Sequence, residues 1–391
     1  MNKFKGKVAI AGIGEVPTGN FPDRSCIHSC LESCKQAIED AGISKDEIDV
    51  VIPTGTLFSF KYFLDMAISR LVDELGLLNK AKANIAIFNG GSSSSTILKT
   101  AIGWIQAGFA KTILVAQSDK LASGVKGGAT DAIEIFQSAE DPFGSGMNAT
   151  MGLITQRYMH ETGTTPAQLA SVCVSMRKWA QLNPNARFRK PLTIEDVLNS
   201  RMITTPLHAF ECNVLCDGAS AFIVTSAERA RDITDTPVYP LGFGSLVTHF
   251  TVTDADMATL GYPRAAKDAY EMAGITPKDA DIVEIYDSYP VIPLIAMEGL
   301  GFCRKGEAGK FVHDGHTWPG GKLPMTTNGG MLSQGHTGAG GGFAVLVEAI
   351  RQLMGKAGER QVKDAKIAIE TSTGGNYMDA HVTILGKEEI I

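Results

Sequence analysis

The chain lacks any run approaching the roughly 18 uninterrupted apolar residues that a membrane-spanning helix needs, so no transmembrane segment is expected. It also lacks a surplus of basic charge: 36 Lys and Arg stand against 42 Asp and Glu, a formal net charge of -6. That balance excludes the broad basic footprint of a nucleic-acid or anionic-membrane binder. A local cluster, Arg187, Arg189, Lys190 and Arg201, leaves room for a phosphorylated ligand or a solvated surface. The cysteines number seven, odd and scattered, and make no disulfide framework. Cys212 and Cys216 share a C-x-x-x-C spacing, but no second pair stands at zinc-site distance, so free thiols and no metal are expected. Gly12-Ile-Gly14 lacks the third glycine and helix start of a dinucleotide fingerprint, which excludes a nicotinamide enzyme. The early apolar stretch is short, broken by glycine and ended by Glu15, unlike a secretory signal, and a cytoplasmic protein is expected.

What is present suits a compact α/β protein. The 391 residues are 44% hydrophobic and 20% charged, enough for two domains or one large duplicated unit. A repeat favours duplication. Residues 41–52, AGISKDEIDVVI, match residues 273–285, AGITPKDADIVEI, each after a helical pattern. In both, glycine ends the helix and Ser44 or Thr276 opens a turn before a β-branched strand. A second echo follows in the same order, Phe88-Asn-Gly-Gly91 and Thr327-Asn-Gly-Gly330. The expected halves are residues 1–235 and 236–391.

Within the halves, strands alternate with helices. Asn84–Phe88 and Lys111–Ala116 read as strands, and between them Ile97, Leu98, Ala101, Ile102 and Ile105 recur at helical spacing. Lys366–Glu370 and His381–Leu385 are strand-like near the end. Residues 120–210 are looser and more polar, with Met147, Met151, Tyr158 and Met159 on helical surfaces, and read as a loop-rich cover over the sheet.

In α/β sheets, chemistry collects where strands end and helices begin. Turns of this kind occur at 89–92 (NGGS), 286–289 (YDSY), 333–338 (SQGHTG) and 371–375 (TSTGG). With these motifs the chain resembles the thiolase superfamily over nearly its whole length. It is most similar to sterol-carrier-protein and archaeal thiolases, and its middle and tail also resemble steroid side-chain aldolases. Gly335-His336-Thr337 resembles the family's Gly-His-Pro, and Tyr286-Asp287-Ser288-Tyr289 its His-Asp-Cys-Phe turn. Leu300–Gly306 and Asp217-Gly218-Ala219, before an expected strand Ala221–Thr225, are also family-like. The resemblance implies a duplicated five-layer α-β-α-β-α fold and a dimer paired across an interface through Lys111–Ala116. From the aldolases it further implies a small OB-fold and zinc-ribbon partner subunit.

One departure carries as much information as the match. The nucleophilic cysteine of the family falls on Gly91 or, with a one-residue slip, on Ser92, and no cysteine lies between Cys34 and Cys173. The other reactive cysteines fall on Ser288 and about Ser372. A serine nucleophile would need an adjacent base and an oxyanion hole. Ser92 to Ser95 also stand at a helix start, where hydroxyls cap free N–H groups, and capping and turn-making are the favoured reading.

The resemblance makes His336 the leading catalytic candidate and places Tyr286 where a donor meets the thioester oxygen. Ser288, Tyr289 and His249 are further candidates for proton transfer or substrate orientation, whereas Asp287 is expected to hold its turn. Asn89, Gly90, Gly91, Ser92, Gly335, Gly374 and Gly375 are expected to approach the substrate, an acyl-CoA; coenzyme A enters as part of the substrate, with no covalent cofactor. The expected activity is cleavage or formation of a C–C bond beside a CoA thioester without a cysteine, foremost retro-aldol cleavage of a β-hydroxyacyl-CoA. A thiolase or acyltransferase acting on a β-ketoacyl-CoA, and a non-catalytic scaffold subunit, remain as alternatives.

Overall fold

The computed structural model describes residues 5–55, 64–83, 85–124, 146–249, 256–375 and 377–390. The first part runs β1 (Val8–Glu15), α1 (Cys26–Asp40), β2 (Val50–Thr54), α2 (Leu64–Glu74), α3 (Ser93–Gln106) and β3 (Thr112–Lys120). Next come α4 (Met147–Thr162), α5 (Pro166–Gln181), α6 (Ile194–Leu198), a hairpin of β4 (Met202–Thr204) and β5 (Leu207–His208), β6 (Asp217–Ser226) and α7 (Ala227–Ile233). The remainder is β7 (Tyr239–Val247), α8 (Tyr262–Ala273), β8 (Ile282–Ile285), α9 (Val291–Gly299), α10 (Ala308–His313), α11 (Gly340–Leu353), β9 (Ile367–Ser372) and β10 (Asp379–Gly386).

The two large sheets have one topology. The first is ordered β1-β6-β3-β2 and the second β7-β10-β9-β8. In each, the last strand runs antiparallel to both its neighbours, and the remaining pair, β2 with β3 or β8 with β9, is parallel. Strands of the first sheet end at Ser226 and those of the second begin at Tyr239.

Local chemistry produces this sameness. Gly42 (φ +66) and Gly274 (φ +74) end α1 and α8 in the left-handed region, which costs glycine no Cβ clash. Ser44 with Glu47, and Thr276 with Asp279, then form reciprocal capping boxes on matching 3₁₀ turns. One residue pair further, Asp49 accepts the backbone N–H groups of Lys111 and Thr112, and Asp281 those of Lys366 and Ile367. Each aspartate thus sets the register of the parallel strand beside it.

Helices α3 and α11 lie between the sheets. Ile97, Leu98, Ala101 and Ile102 of α3 pack with Phe343, Leu346, Val347 and Ile350 of α11 and with Ile10, Ile52 and Val115 of the first sheet. Helix α1 covers the outer face of the first sheet and α8 that of the second, completing five layers. A fully buried Ile or Phe side chain contributes about 1.5–3 kcal/mol through removal of apolar area from water, so this middle layer is a principal source of stability.

Several expectations change. Residues 85–88 form no strand, and Asn84 lies outside the described residues. Ile85 and Ile87 pack against the inter-sheet cluster, but no ladder with β2 forms among the described residues, so apolar alternation has no hydrogen bonds to fix it. Lys111–Ala116 cannot pair across a subunit interface, because β3 is bonded on one side to β2 and on the other to β6. The cover is helical rather than loop-rich where it is described: α4 and α5 have 16 residues each, with Met151 and Tyr158 fully buried. Its residues 125–145 lie outside the described residues. Asp217 to Ala219 lie within β6, not before it.

Candidate functional site

The turns singled out in the sequence meet in one place. Gly90 lies against Gly374 and Gly375, so the 89–92 and 373–375 turns touch through backbone alone. Gly91 faces both the Tyr286 ring and the carbonyl of Thr373: a Cβ there would stand 2.5 Å from Tyr286 Cε2 and still closer to Thr373 O. Gly341, in the first turn of α11, packs against Met331, Tyr286 and His336. Small residues let three backbone segments crowd around Tyr286 and His336.

Tyr286 Oη and His336 Nε2 are 2.9 Å apart, and the rings meet edge to face at 88°. The His336 backbone is clamped on both sides, its N–H donating to Val214 O at 2.6 Å and its carbonyl accepting from Cys216 N at 2.9 Å. Gly335 permits that clamp, since a Cβ there would meet Cys216 Sγ at 2.6 Å. The His336 residue is partly exposed, but its Nδ1 is closed off and has no partner. Burial lowers its pKa to about 4, so the imidazole is neutral near pH 7. Burial also raises the Tyr286 phenol. Together they form a neutral hydroxyl–imidazole pair able to pass a proton from a ligand through Tyr286 to His336.

The rest of the 286–289 turn reaches outward. Asp287 is fully buried and accepts the N–H groups of Met331 at 2.7 Å and Leu332 at 3.4 Å, holding the 330–334 turn and not merely its own. Burial pushes its carboxyl up to about 7 against the pull of those bonds. Ser288 Oγ bonds Tyr377 Oη, and Tyr289 Oη donates to Asn148 Oδ1 of α4 at 2.6 Å. Tyr377, buried and at φ +61, was not foreseen. Its only sequence signal is its place two residues past Gly374-Gly375. His249 bonds through Nδ1 to Thr248 Oγ1, whose hydroxyl reaches Met378 O beside Tyr377.

The serines at the start of α3 make the preceding turn rather than cap the helix: Ser92 forms no cap bond, and Ser93 Oγ accepts from Asn89 N. Ser92 Oγ lies 2.9 Å from Asn89 O and 2.8 Å from Asp379 Oδ2, and Ser93 Oγ donates to Gly90 O. Ser95 pairs with Thr383 of β10, so Ser92 and Ser95 turn toward the second sheet. Ser92 therefore has a carboxylate, not an imidazole, beside its hydroxyl. Burial works against ionisation of Asp379, but His381, Ser92 and Gly374 N–H hold its carboxyl below the usual range, making it a weak base for activating a serine. Asp379 also bonds Gly374 N at 2.6 Å, tying the 89–92 and 373–375 turns together.

Farther along this seam lies Glu370, fully buried, with neither carboxylate oxygen partnered. Burial raises its pKa to about 8. Underneath the His336 turn, Glu15 accepts from Gln334 Nε2 and Arg351, while Arg177 donates to Ser333 Oγ at 3.0 Å and to Lys190 O. The 187–188 backbone, from the basic cluster, bonds Gln334 O and Ser333 O. Among the described residues no group of three or more His, Cys, Asp or Glu could hold a metal.

Comparison with known proteins decides the family. Residues 244–387 match the thiolase C-terminal domain-like family. The acetyl-CoA acetyltransferase of Methanothermobacter thermautotrophicus is 32% identical over 97% of this chain and 99% of its own. The chain belongs to the thiolase superfamily. Within that superfamily it is also 32% identical to the 17-hydroxy-3-oxo-4-pregnene-20-carboxyl-CoA lyase of Mycobacterium tuberculosis, over 90% of this chain and 92% of the relative. A solved structure titled Ltp2-ChsH2(DUF35) aldolase superposes with a TM-score of 0.85 at 28% identity, covering 98% of this chain and 99% of that one. This thiolase-superfamily chain is thus similar both to an acetyltransferase and to a lyase and an aldolase.

Proposed function

We propose that the protein is a C–C lyase that cleaves a β-hydroxyacyl-CoA by a retro-aldol step. The observation that carries this reading is the Tyr286 ring packed against Gly91, which with Ser92 is one of the two positions onto which the resemblance carries the family's thiol nucleophile. An acyl-enzyme route has no thiol there and no room for one. Retro-aldol cleavage needs only a base and hydrogen-bond donors around an enolate.

In this reading Tyr286 Oη accepts the β-hydroxyl proton as its own proton passes to His336 Nε2. The Cα–Cβ bond breaks, its electron pair forms the acyl-CoA enolate, and a carbonyl product leaves. The negative enolate favours the imidazolium that burial alone disfavours, and that imidazolium returns the proton through Tyr286 to Cα. His336 therefore acts through Tyr286, since its other nitrogen is sealed. Asn89, Gly90, Gly91, Gly374 and Gly375 form the small-residue wall against which the acyl-CoA lies. Coenzyme A is part of the substrate, and no bound cofactor has a step in this scheme.

The DUF35 component of the Ltp2-ChsH2(DUF35) aldolase supports a partner subunit for this chain; we further propose that the partner is a small OB-fold and zinc-ribbon protein, on a homodimer in the cytoplasm. Light scattering of the purified protein tests the assembly, and a stable monomer contradicts it. For the reaction, intact-protein mass spectrometry during turnover of β-hydroxyacyl-CoA substrates should show no acyl adduct while an acyl-CoA and a carbonyl product accumulate. An adduct on Ser92 that forms and decays at the turnover rate would instead establish a serine-dependent acyltransferase, and CoA binding with no turnover a scaffold.

A further inference from the structure

Two buried hydroxyls beside Tyr286 have no place in the scheme above. Ser288 and Tyr377 both lie buried, and among the described residues their hydroxyls hydrogen-bond only to each other. A hydroxyl pair uses one of its two protons in the mutual bond. The second proton has no hydrogen-bond acceptor among the described residues. Buried donors are almost always satisfied, so a donor left over inside a site points to an acceptor that arrives with the ligand.

The surroundings say where that acceptor would be. Ser288 is two residues from Tyr286 on the turn that ends β8, and Tyr377 belongs to the turn whose Gly374 and Gly375 touch Gly90. The turn is held in place from several sides: Met378 N donates to Gly374 O, Thr248 N to Met378 O, and Gly374 N to Asp379. Within it Tyr377 keeps a left-handed backbone that non-glycine residues rarely adopt, so the fold fixes this phenol against local preference. Burial and the nearby phenols of Tyr286, Tyr289 and Tyr262 keep it protonated. It is a donor and not a base.

We propose that Tyr377, held by Ser288, is a further catalytic residue of this site, supplying the hydrogen bond that stabilises the thioester oxygen as it becomes an enolate. The assignment rests on the lyase reading and divides its labour: Tyr286 and His336 move the proton, and the Ser288–Tyr377 pair receives the charge. When the Cα–Cβ bond breaks, the electron pair passes into the enolate and the charge onto the thioester oxygen. No proton need leave Tyr377.

The same enolate forms without any cleavage when an acyl-CoA exchanges its α-hydrogens with solvent. The test is therefore exchange of acetyl-CoA and propionyl-CoA in D2O, followed by mass spectrometry, using the full chain with whatever partner co-purifies. Wild type should exchange at least one of the two. Tyr377→Phe and Ser288→Ala should each lower the exchange kcat about 10²–10³-fold, as loss of one oxyanion donor does, with KM changed little. The double variant should fall no further than a few-fold below the worse single variant, because the pair acts as a unit. Ser288→Ala leaves the strained backbone untouched and carries the test if Tyr377→Phe does not fold. Exchange within two-fold of wild type in a folded variant overturns the role of the pair and leaves the lyase reading standing. A wild-type protein that exchanges neither compound overturns the lyase reading, and the pair's role with it.

Discussion

Gly91 and Tyr286 share one space, the ring of the second filling the volume that any side chain on the first would need. The two positions are therefore coupled, and the thiolase nucleophile cannot be restored by one substitution. Gly91→Cys forces its Cβ against the Tyr286 ring and the Thr373 carbonyl, and over-packing of this kind costs about 1–3 kcal/mol. The expected outcome is a lower melting temperature with no thiolysis of acetoacetyl-CoA. A Gly91→Cys protein that melts with wild type and gains thiolysis would show that the ring does not exclude a nucleophile.

Tyr286 and His336 should fail together. Because the only accessible nitrogen of His336 faces the Tyr286 hydroxyl, Tyr286→Phe should cost as much turnover as His336→Ala, about 10²–10⁴-fold for a lost proton-transfer group. The double variant should lose little more than either single one. Additive losses measured in the cycle would mean that His336 reaches the substrate by itself.

Thiol reagents should leave the enzyme working. Cys26, Cys212 and Cys303 are the partly exposed cysteines, and burial pushes the first two up to about 12 and the third to about 11. Thiolates are scarce at neutral pH, and no cysteine lies at position 91, 288 or 372. Iodoacetamide at pH 7.5, with modification followed by mass spectrometry, should leave most lyase activity in place. Loss of activity in step with one modified cysteine would contradict the cysteine-free scheme.

Glu370 should make stability fall as pH rises. Its folded pKa, about 8, lies above the ordinary 4.5, so between those values the folded chain holds a proton that the unfolded chain has released. The contribution is fully present below pH 4.5 and lost once pH passes 8, with a limiting slope of about 1.4 kcal/mol per pH unit. Glu370→Gln keeps the shape without the acid. Its melting temperature should match wild type near pH 5 and exceed it at pH 9; parallel curves for the two proteins would show that Glu370 is not the group responsible.

The parts legible in the sequence were those whose cause is local. Gly42 and Gly274, the Ser44 and Thr276 caps, and the aspartates after them act within a few residues, so the duplication could be read before any contact was known. The 89–92, 286–289, 333–338 and 371–375 turns were visible for the same reason. Direction was not. The serines of 92–95 have the composition of a cap, yet Ser92 and Ser95 face Asp379 and Thr383, almost 290 residues away in sequence. Residues 85–88 alternate like a strand, but a strand also needs a neighbour to bond with. Tyr377 looks unexceptional in NYMDA because its meaning lies in a positive φ and in Ser288, neither of which the local sequence encodes.

The second echo, FNGG and TNGG, has a consequence of its own. Gly91 of the first copy presses on Tyr286, while the matching Gly330 of the second lies under Asp287, where a Cβ would collide with the carboxylate. Two equivalent glycines, one in each half, thus press on neighbouring residues of one turn, one on the Tyr286 ring and one on the Asp287 carboxylate. A doubled chain begins with a spare of every part. Here the spare became the anvil: damage at Gly91 should be felt by the ligand as well as by the fold, and damage at Gly330 by the fold first.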